Sequence, residues 1–270
     1  MGPEESVLAG DLNGALMQLQ DSVRENPADP KKRVFLFQLL AVLGQWDRAL
    51  TQLDVSLDLN PETLMMCQTY REAIRCEKLR VKVFSGRQSP LIFGEPEQWM
   101  ALCVQALALL IKGDITQAQQ FREQAYEQAP SSSGNVAIVN SDDQLAFSWI
   151  ADADSRIGPF IEAFIGGEYY WVPFNQIQRM DFEAPQDLRD LVWAPCSFTW
   201  VNHGEVVGLV PCRYDPLAAS DTNETDLLLS RQTHWQAHGE DEYSGFGQRM
   251  FTTDQDELSL LDIRSVTFNQ

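Results

Sequence analysis

The chain has 270 residues, of which 44% are hydrophobic and 22% charged, a composition typical of a folded globular protein. Its formal net charge of −19 disfavours nucleic acid and anionic membranes as partners. No run approaches the about eighteen apolar residues that a membrane span requires. The acidic start Met1–Glu5 lacks the features of a signal peptide, so a cytoplasmic protein is expected.

A repeated pattern organises the first half of the sequence. The segment Gly10–Pro27 matches Gly44–Pro61 at an offset of 34 residues, and Gly113–Pro130 is a third, less regular copy. Thirty-four residues is the period of the tetratricopeptide repeat (TPR), a helix–turn–helix unit. The pattern therefore predicts a TPR-like helical domain over residues 1–130. The alternative is an ordinary helical bundle in which the spacing arises by chance.

Local signals predict where the helices begin and end. Asp29-Pro30 is typical of an N-cap followed by proline at the first helical position. Gly44 and Gly113 fall where a helix ends in a left-handed residue. These signals predict helices over 11–25, 30–43, 46–59, 61–84, 96–112 and 114–129. The long 61–84 helix interrupts the repeat and is expected to brace the two helical parts.

The composition changes after Pro130. Residues 131–135 have the composition of a short flexible linker. Residues 136–270 contain seven arginines, no lysine and 22 Asp+Glu, a net charge of −15. Short runs rich in β-branched and aromatic residues are separated by Gly, Pro, Asn and Asp, which indicates strands. The predicted strands are 136–139, 160–165, 169–174, 198–201, 206–210 and 249–253.

The second half is therefore expected to form a β-rich, small-barrel-like domain, which makes the whole chain an α+β protein. Gly166-Gly167 predicts the turn of a hairpin. One short helix is expected over 141–153. Five tryptophans are expected to be core anchors because of their large apolar area: Trp149, Trp171, Trp193, Trp200 and Trp235.

The search for catalytic or metal-binding residues yields little. His234 and His238 are four residues apart, a spacing that suits zinc only on a helix, and the surrounding sequence indicates a loop. The five cysteines are widely spread and are interpreted as reduced core residues. No nucleophile, base and orienting group can be assembled. The sequence predicts no cofactor and no metal, and a hydrolase or metal enzyme in the second half remains an alternative.

Three segments resemble the C-terminal signature of the ImpE/TagJ (SciE-type) family: Ser230–Trp235, Gly245–Arg249 and Leu260–Arg264. Two others, Tyr169–Phe174 and Asp187–Trp193, resemble the middle of that family. Its motif residues here are Arg231, Trp235, Gly245, Gly247, Gln248 and Arg249, with either a structural or an interaction role. The glycines are expected to permit a sharp entry into the strand at 249–253. Each arginine is expected to pair with nearby carboxylates in this acidic half.

The resemblance implies a non-catalytic adaptor of bacterial type VI secretion. Such a protein binds an amphipathic helix of the small subunit of the contractile sheath and assists the ATPase that disassembles the sheath. In a TPR domain, the first helix of each pair lines the partner groove, which selects Lys31, Val34, Gln38 and Ala41. A passive, self-associating assembly scaffold is the alternative, and the oligomeric state is left open.

Overall fold

A computed structural model of the chain describes residues 2–141, 144–214, 224–239 and 242–269. Within these residues, seven α-helices lie before residue 130 and an eighth lies in the second half. They are α1 (Pro3–Leu8), α2 (Leu12–Glu25), α3 (Pro30–Val42), α4 (Trp46–Leu59), α5 (Leu64–Phe84), α6 (Gln98–Ile111), α7 (Ile115–Gln128) and α8 (Glu224–Leu228). The six helices predicted within residues 1–130 are confirmed to within a few residues at each end.

The capping signals explain this agreement. The Asp29 side chain accepts a hydrogen bond from the Lys31 amide, at 2.9 Å, at the start of α3. Gly44 and Gly113 follow α3 and α6 with φ of 65° and 82°, the left-handed conformation that glycine adopts without strain. The predicted 61–84 helix begins as a 3-10 turn over Pro61–Thr63 and becomes α-helical at Leu64.

Fourteen strands are present in the described residues. They are β1 (Leu91–Ile92), β2 (Gly134–Ile138), β3 (Gln144–Phe147), β4 (Ile150–Asp152), β5 (Phe160–Ile165), β6 (Glu168–Pro173), β7 (Ile177–Phe182), β8 (Trp193–Trp200), β9 (Glu205–Pro211), β10 (Thr233–Gly239), β11 (Glu242–Gly247), β12 (Met250–Thr253), β13 (Glu257–Ser259) and β14 (Ile263–Phe268). Nine strands form one sheet in the order β1-β6-β5-β9-β8-β7-β14-β2-β3. The others form a β10-β11 pair and a β13-β12-β4 sheet.

The α+β class is confirmed, but the small-barrel prediction is wrong. Within the described residues the end strands β1 and β3 each pair with one neighbour only, so the sheet stays open. The physical reason lies in how its strands are buried. Along β5, Phe160 and Phe164 pack into a core shared with the helices, while Ile161 and Ala163 pack into a second core on the other side. Because the helices cover one face, the sheet need not close on itself to bury its apolar residues.

Two local predictions are tested directly. The hairpin around Gly166-Gly167 is confirmed, since β5 and β6 pair antiparallel with Ile165 opposite Glu168. The helix predicted over 141–153 is wrong, although Asp142 and Asp143 of that segment lie outside the described residues. The segment instead forms β3, which pairs with β2, and β4, which pairs with β12. Pairing with distant strands overrides the local helical preference.

Strands and apolar contacts extend across the predicted boundary between the helical part and the β-rich part. β2 begins at Gly134, inside the predicted 131–135 linker. In the helical part, β1 adds to the sheet by pairing parallel with β6. A single apolar cluster joins Phe37 and Ile74 of the helices to Trp171 and Trp193 of the sheet. The helical layer and the sheet therefore share one core.

Candidate interaction site

The predicted partner-binding residues lie on α3, and the structure separates them into two pairs. Lys31 is exposed and Val34 is half-buried at the N-terminal end of the helix. Gln38 and Ala41 are buried, with 6% and 0% of their surface accessible. The accessible part of this surface is therefore formed by Lys31 and Val34.

Residues of the second half cover the C-terminal part of α3. The Gln38 Oε1 atom accepts a hydrogen bond from the Leu188 amide at 3.1 Å. Leu188 opens the 3-10 turn Leu188–Leu191, which packs on α3. The Arg213 guanidinium donates to the carbonyl oxygens of Ala41, at 3.4 Å, and Val42, at 2.8 Å. Gln38 thus holds the two layers together in this structure.

Arg249, from the motif Gly245–Arg249, is fully buried between two carboxylates. Its Nη1 donates to Asp152 on β4, and its Nη2 donates to Glu162 on β5. Its Nε donates to the Pro211 carbonyl oxygen at 2.8 Å. The guanidinium carbon lies 5.1 Å from the centre of the Tyr214 ring. Arg249 thereby links β4 of the three-stranded sheet to β5 and β9 of the large sheet.

Glu162 extends this network to the helical layer. Arg80 on α5 donates to both Glu162 oxygens, through Nε at 2.7 Å and Nη2 at 2.9 Å. Tyr169 also donates to Glu162. One turn earlier on α5, Glu77 accepts a hydrogen bond from Trp193 Nε1 at 2.9 Å. The long helix thus braces the sheet, whereas the sequence predicted that it would brace two helical parts.

The two carboxylates beside Arg249 have opposite pKa shifts. Burial on its own raises the pKa of Glu162, but Arg80 and Arg249 outweigh it and lower this pKa to about 2. For Asp152, burial outweighs the attraction of Arg249, and with repulsion from Asp154 it raises the pKa to about 7. Glu162 is therefore held as the ion, while Asp152 retains a proton more readily than an ordinary aspartate.

A raised carboxyl pKa is also a feature of acid–base catalysts, so the surroundings of Asp152 matter. Both of its oxygens are occupied. Oδ1 lies 2.9 Å from the Tyr214 hydroxyl and 2.9 Å from the Asp154 amide, and Oδ2 accepts from Arg249. Burial also raises the pKa of the Cys76, Cys103 and Cys212 thiols to about 12, so they are protonated at neutral pH. The arrangement favours a structural role for these groups.

The two motif glycines are required by close packing. A Cβ atom on Gly245 would lie 2.3 Å from the Tyr214 ring, and the Gly245 amide donates to Asp154 at 2.9 Å. Gly247 has φ of 82°, and a Cβ there would lie 2.3 Å from the Gln232 carbonyl oxygen. Gln248 donates from its amide to that same oxygen at 2.9 Å. Gly245 thus allows β11 to pack closely against Tyr214. Gly247 gives the backbone the left-handed conformation that leads into Arg249.

We expect Gly247→Ala to destabilise the protein by at least 2 kcal/mol more than Gly113→Ala, on the order of a strain and overpacking penalty. Both glycines have φ of 82°, but a Cβ on Gly113 has nothing within 4 Å. The pair therefore separates the steric clash from the backbone strain. Chemical unfolding of the two variants measures the difference, and equal losses would show that the contact with Gln232 can relax.

The remaining motif residues, Arg231 and Trp235, are more peripheral. The Arg231 side chain is 41% exposed, lies 3.7 Å from Asp226 and donates to the Leu8 carbonyl oxygen of α1 at 3.1 Å. Trp235 is half-buried, with its ring 5.7 Å from Tyr214. Of the five tryptophans predicted in the core, Trp171, Trp193 and Trp200 are buried, whereas Trp149 is 41% exposed.

His234 and His238 lie on strand β10, so their spacing of four no longer brings them together as it would on a helix. In the part of the chain that the structure describes, no group of three His, Cys, Asp or Glu side chains could hold a metal ion. None of the helices there combines the length and apolarity needed to traverse a bilayer.

The fold and the network define a class of protein, an α+β chain whose helical layer is fixed to a large open sheet by buried ion pairs. The ImpE protein family profile matches residues 144–267. The chain is 43% identical over 265 residues to a Pseudomonas aeruginosa protein named type VI secretion system accessory component TagJ, covering 98% of this chain and 90% of the relative. The chain belongs to the ImpE/TagJ family.

A solved crystal structure shares the fold. It is that of a Vibrio parahaemolyticus protein, which superimposes with a TM-score of 0.84 at 24% sequence identity. The similarity covers 99% of this chain and 97% of that one. The combination of helical layer and open sheet is therefore an architecture found experimentally.

Proposed function

We propose that this chain is a non-catalytic adaptor of a bacterial type VI secretion system. It binds an amphipathic helix of the small sheath subunit and assists the ATPase that handles the sheath. The observation that carries the proposal is the 43% identity, over 98% of the chain, to a protein named as an accessory component of that system. We place this activity in the cytoplasm, where the sheath and its ATPase act.

The buried network supports an adaptor because its charges stabilise the fold and are removed from solvent. Arg80, Glu162 and Arg249 are each at most 2% exposed, and both arginines form ion pairs with Glu162. A substrate could not reach these groups without unfolding the junction between α5 and the sheet. Recognition must then use the outer surface, which suits a protein that binds other proteins.

The N-terminal end of α3 is the surface that we propose for the sheath helix. Lys31 offers a positive charge and Val34 an apolar contact, one helical turn apart on the same face. Gln38 and Ala41 continue that face, but Gln38 is covered by the turn at residues 188–191 and Ala41 is fully buried, with Arg213 bonded to its carbonyl oxygen. The partner helix would therefore contact Lys31 and Val34 first, and would reach Gln38 only by displacing that turn.

We expect Lys31→Glu combined with Val34→Glu to weaken binding of the purified small sheath subunit at least tenfold, a loss of about 1.4 kcal/mol. The charge reversal and the loss of apolar contact both act against an amphipathic helix. Calorimetric titration measures the affinity, and circular dichroism verifies the fold.

The control is Val207→Glu, which repeats the valine-to-glutamate change of Val34→Glu on a valine of β9 that is 70% exposed. It should bind the sheath subunit as the wild type does. Wild-type affinity in the folded double variant would remove the α3 surface from the proposal. Loss of binding in the Val207 control as well would indicate a nonspecific effect of added negative charge.

A further inference from the structure

A groove of about 500 Å³ lies between the end of α7 and the sheet β13-β12-β4. One wall is formed by Tyr126 and residues 129–132, and the other by β4 with Trp149 and Tyr243. These three aromatic side chains keep 42%, 41% and 42% of their surface exposed. Aromatic residues that are half-exposed around a concave site are typical of binding surfaces.

Hydrogen bonds and an ion pair fix the Tyr126 side chain and the backbone at Tyr243 beside the groove. One turn before Tyr126, Arg122 forms a buried ion pair with Glu242, the residue before Tyr243. Ser155 lies between the two tyrosines. Its carbonyl oxygen accepts from the Tyr126 hydroxyl at 3.2 Å, and its hydroxyl accepts from the Tyr243 amide at 3.0 Å. The groove is therefore preorganised, which lowers the entropic cost of binding a ligand.

The electrostatic surroundings of the groove are negative. Among the described residues that line it, none is lysine or arginine. The carbonyl end of α7, which carries a partial negative charge, lies at the groove beside Ala129. On the opposite rim, Asp254 accepts a hydrogen bond from the Ser148 amide at 2.7 Å, directly before Trp149. Residues 131–270 as a whole carry a net charge of −15, seven arginines against 22 acidic residues.

We propose that this groove binds an arginine-bearing segment of a partner protein, with the guanidinium stacked on the aromatic side chains of Trp149 and Tyr243. Arginine combines a permanent positive charge with a flat, weakly hydrated face that stacks on aromatic rings. Both properties complement a groove with aromatic walls and a negative rim. The surface is distinct from that of Lys31 and Val34, and it does not depend on the proposed sheath interaction.

The test uses the full chain and a synthetic peptide, Ala-Ala-Arg-Ala-Arg-Ala-Ala, titrated by calorimetry. We expect Trp149→Ala and Tyr243→Ala each to weaken peptide binding at least fivefold, while Trp149→Phe retains most of the affinity. A peptide with lysine in place of arginine should bind more weakly, and one with glutamate should not bind. Thermal unfolding of each variant verifies that the groove is intact.

The control separates stacking from general attraction to an acidic protein. Val207→Ala truncates an exposed apolar side chain on β9, a strand of the nine-stranded sheet and not of the sheet that contains β4, and should leave the peptide affinity unchanged. If Trp149→Ala binds the peptide as tightly as the Val207 control, the attraction is due to net charge alone and the proposal is overturned. It is also overturned if sedimentation shows a dimer that Trp149→Ala dissociates, because the occupant would then be a second copy of the chain.

Discussion

Arg249→Ala is expected to lower the free energy of unfolding by about 3–5 kcal/mol, the usual cost of removing one partner from a buried ion pair. The substitution leaves Arg80 as the only cation paired with Glu162 and leaves Asp152 without a cation, both beneath the surface. It also frees the Pro211 carbonyl oxygen. For a chain of this length, the loss corresponds to a decrease in Tm of roughly 10 °C. Denaturant and thermal unfolding measure both quantities.

The control is Arg231→Ala, at another arginine of the same family signature. Its side chain is 41% exposed and its carboxylate partner lies 3.7 Å away, so we expect a loss of less than about 1 kcal/mol. If Arg249→Ala does not accumulate in folded form, Arg249→Lys keeps a charge in place while losing the forked geometry. Equal stabilities for the wild type and both alanine variants would contradict a structural role for Arg249.

The helices could be predicted because their signals are local. An N-cap aspartate, a proline at the first turn and a glycine after the last turn lie within one helix length of each other. Asp29, Pro30 and Gly44 therefore bracket α3 in the sequence as they do in the structure. The same holds for the β5–β6 hairpin, whose turn and strands are adjacent in the chain.

The buried ion pairs around Arg249 and Glu162 could be predicted only in part, because the paired residues are far apart in the sequence. The scarcity of cations in the second half indicated that Arg249 would pair with carboxylates. It could not select Glu162, which lies 87 residues away, or show that Arg80 on α5 shares this carboxylate. One signal was available, since Glu162 interrupts the apolar run Phe160–Phe164. A carboxylate in a strand that is buried on both faces requires a cation.

The solvent exposure of the predicted partner groove could not be predicted from the sequence, for a different reason. The repeat register selected Lys31, Val34, Gln38 and Ala41, and all four lie on one helix, α3. Whether that helix faces solvent depends on the chain that folds back over it more than a hundred residues later. Leu188 and Arg213 occupy the space beside Gln38 and Ala41. The repeat pattern contains no information about this contact.

The opposite pKa shifts of Glu162 and Asp152 predict a second large effect, a dependence of the free energy of unfolding on pH. The folded-state pKa of Glu162 is lowered to about 2 from an ordinary value of 4.5. Its ionised form is therefore favoured by folding, and this stability is present above pH 4.5 and is lost as the pH falls toward 2. The shift corresponds to about 3 kcal/mol at neutral pH. Glu162→Gln should remove about this amount at pH 7 and a smaller amount at pH 3.

For Asp152→Asn, the expected pH dependence of the free energy of unfolding is opposite to that for Glu162→Gln. The folded-state pKa of Asp152 is raised from 3.8 to about 7, so its stabilising contribution is fully present below pH 3.8 and is lost as the pH rises through 7. An uncharged asparagine resembles the protonated acid, so its effect at pH 7 should be smaller than that of Glu162→Gln. Denaturant unfolding of both variants from pH 3 to pH 7 measures the two slopes. If the cost of Glu162→Gln grew as the pH fell, Arg80 and Arg249 could not be the cations that hold this carboxylate in its ionised form.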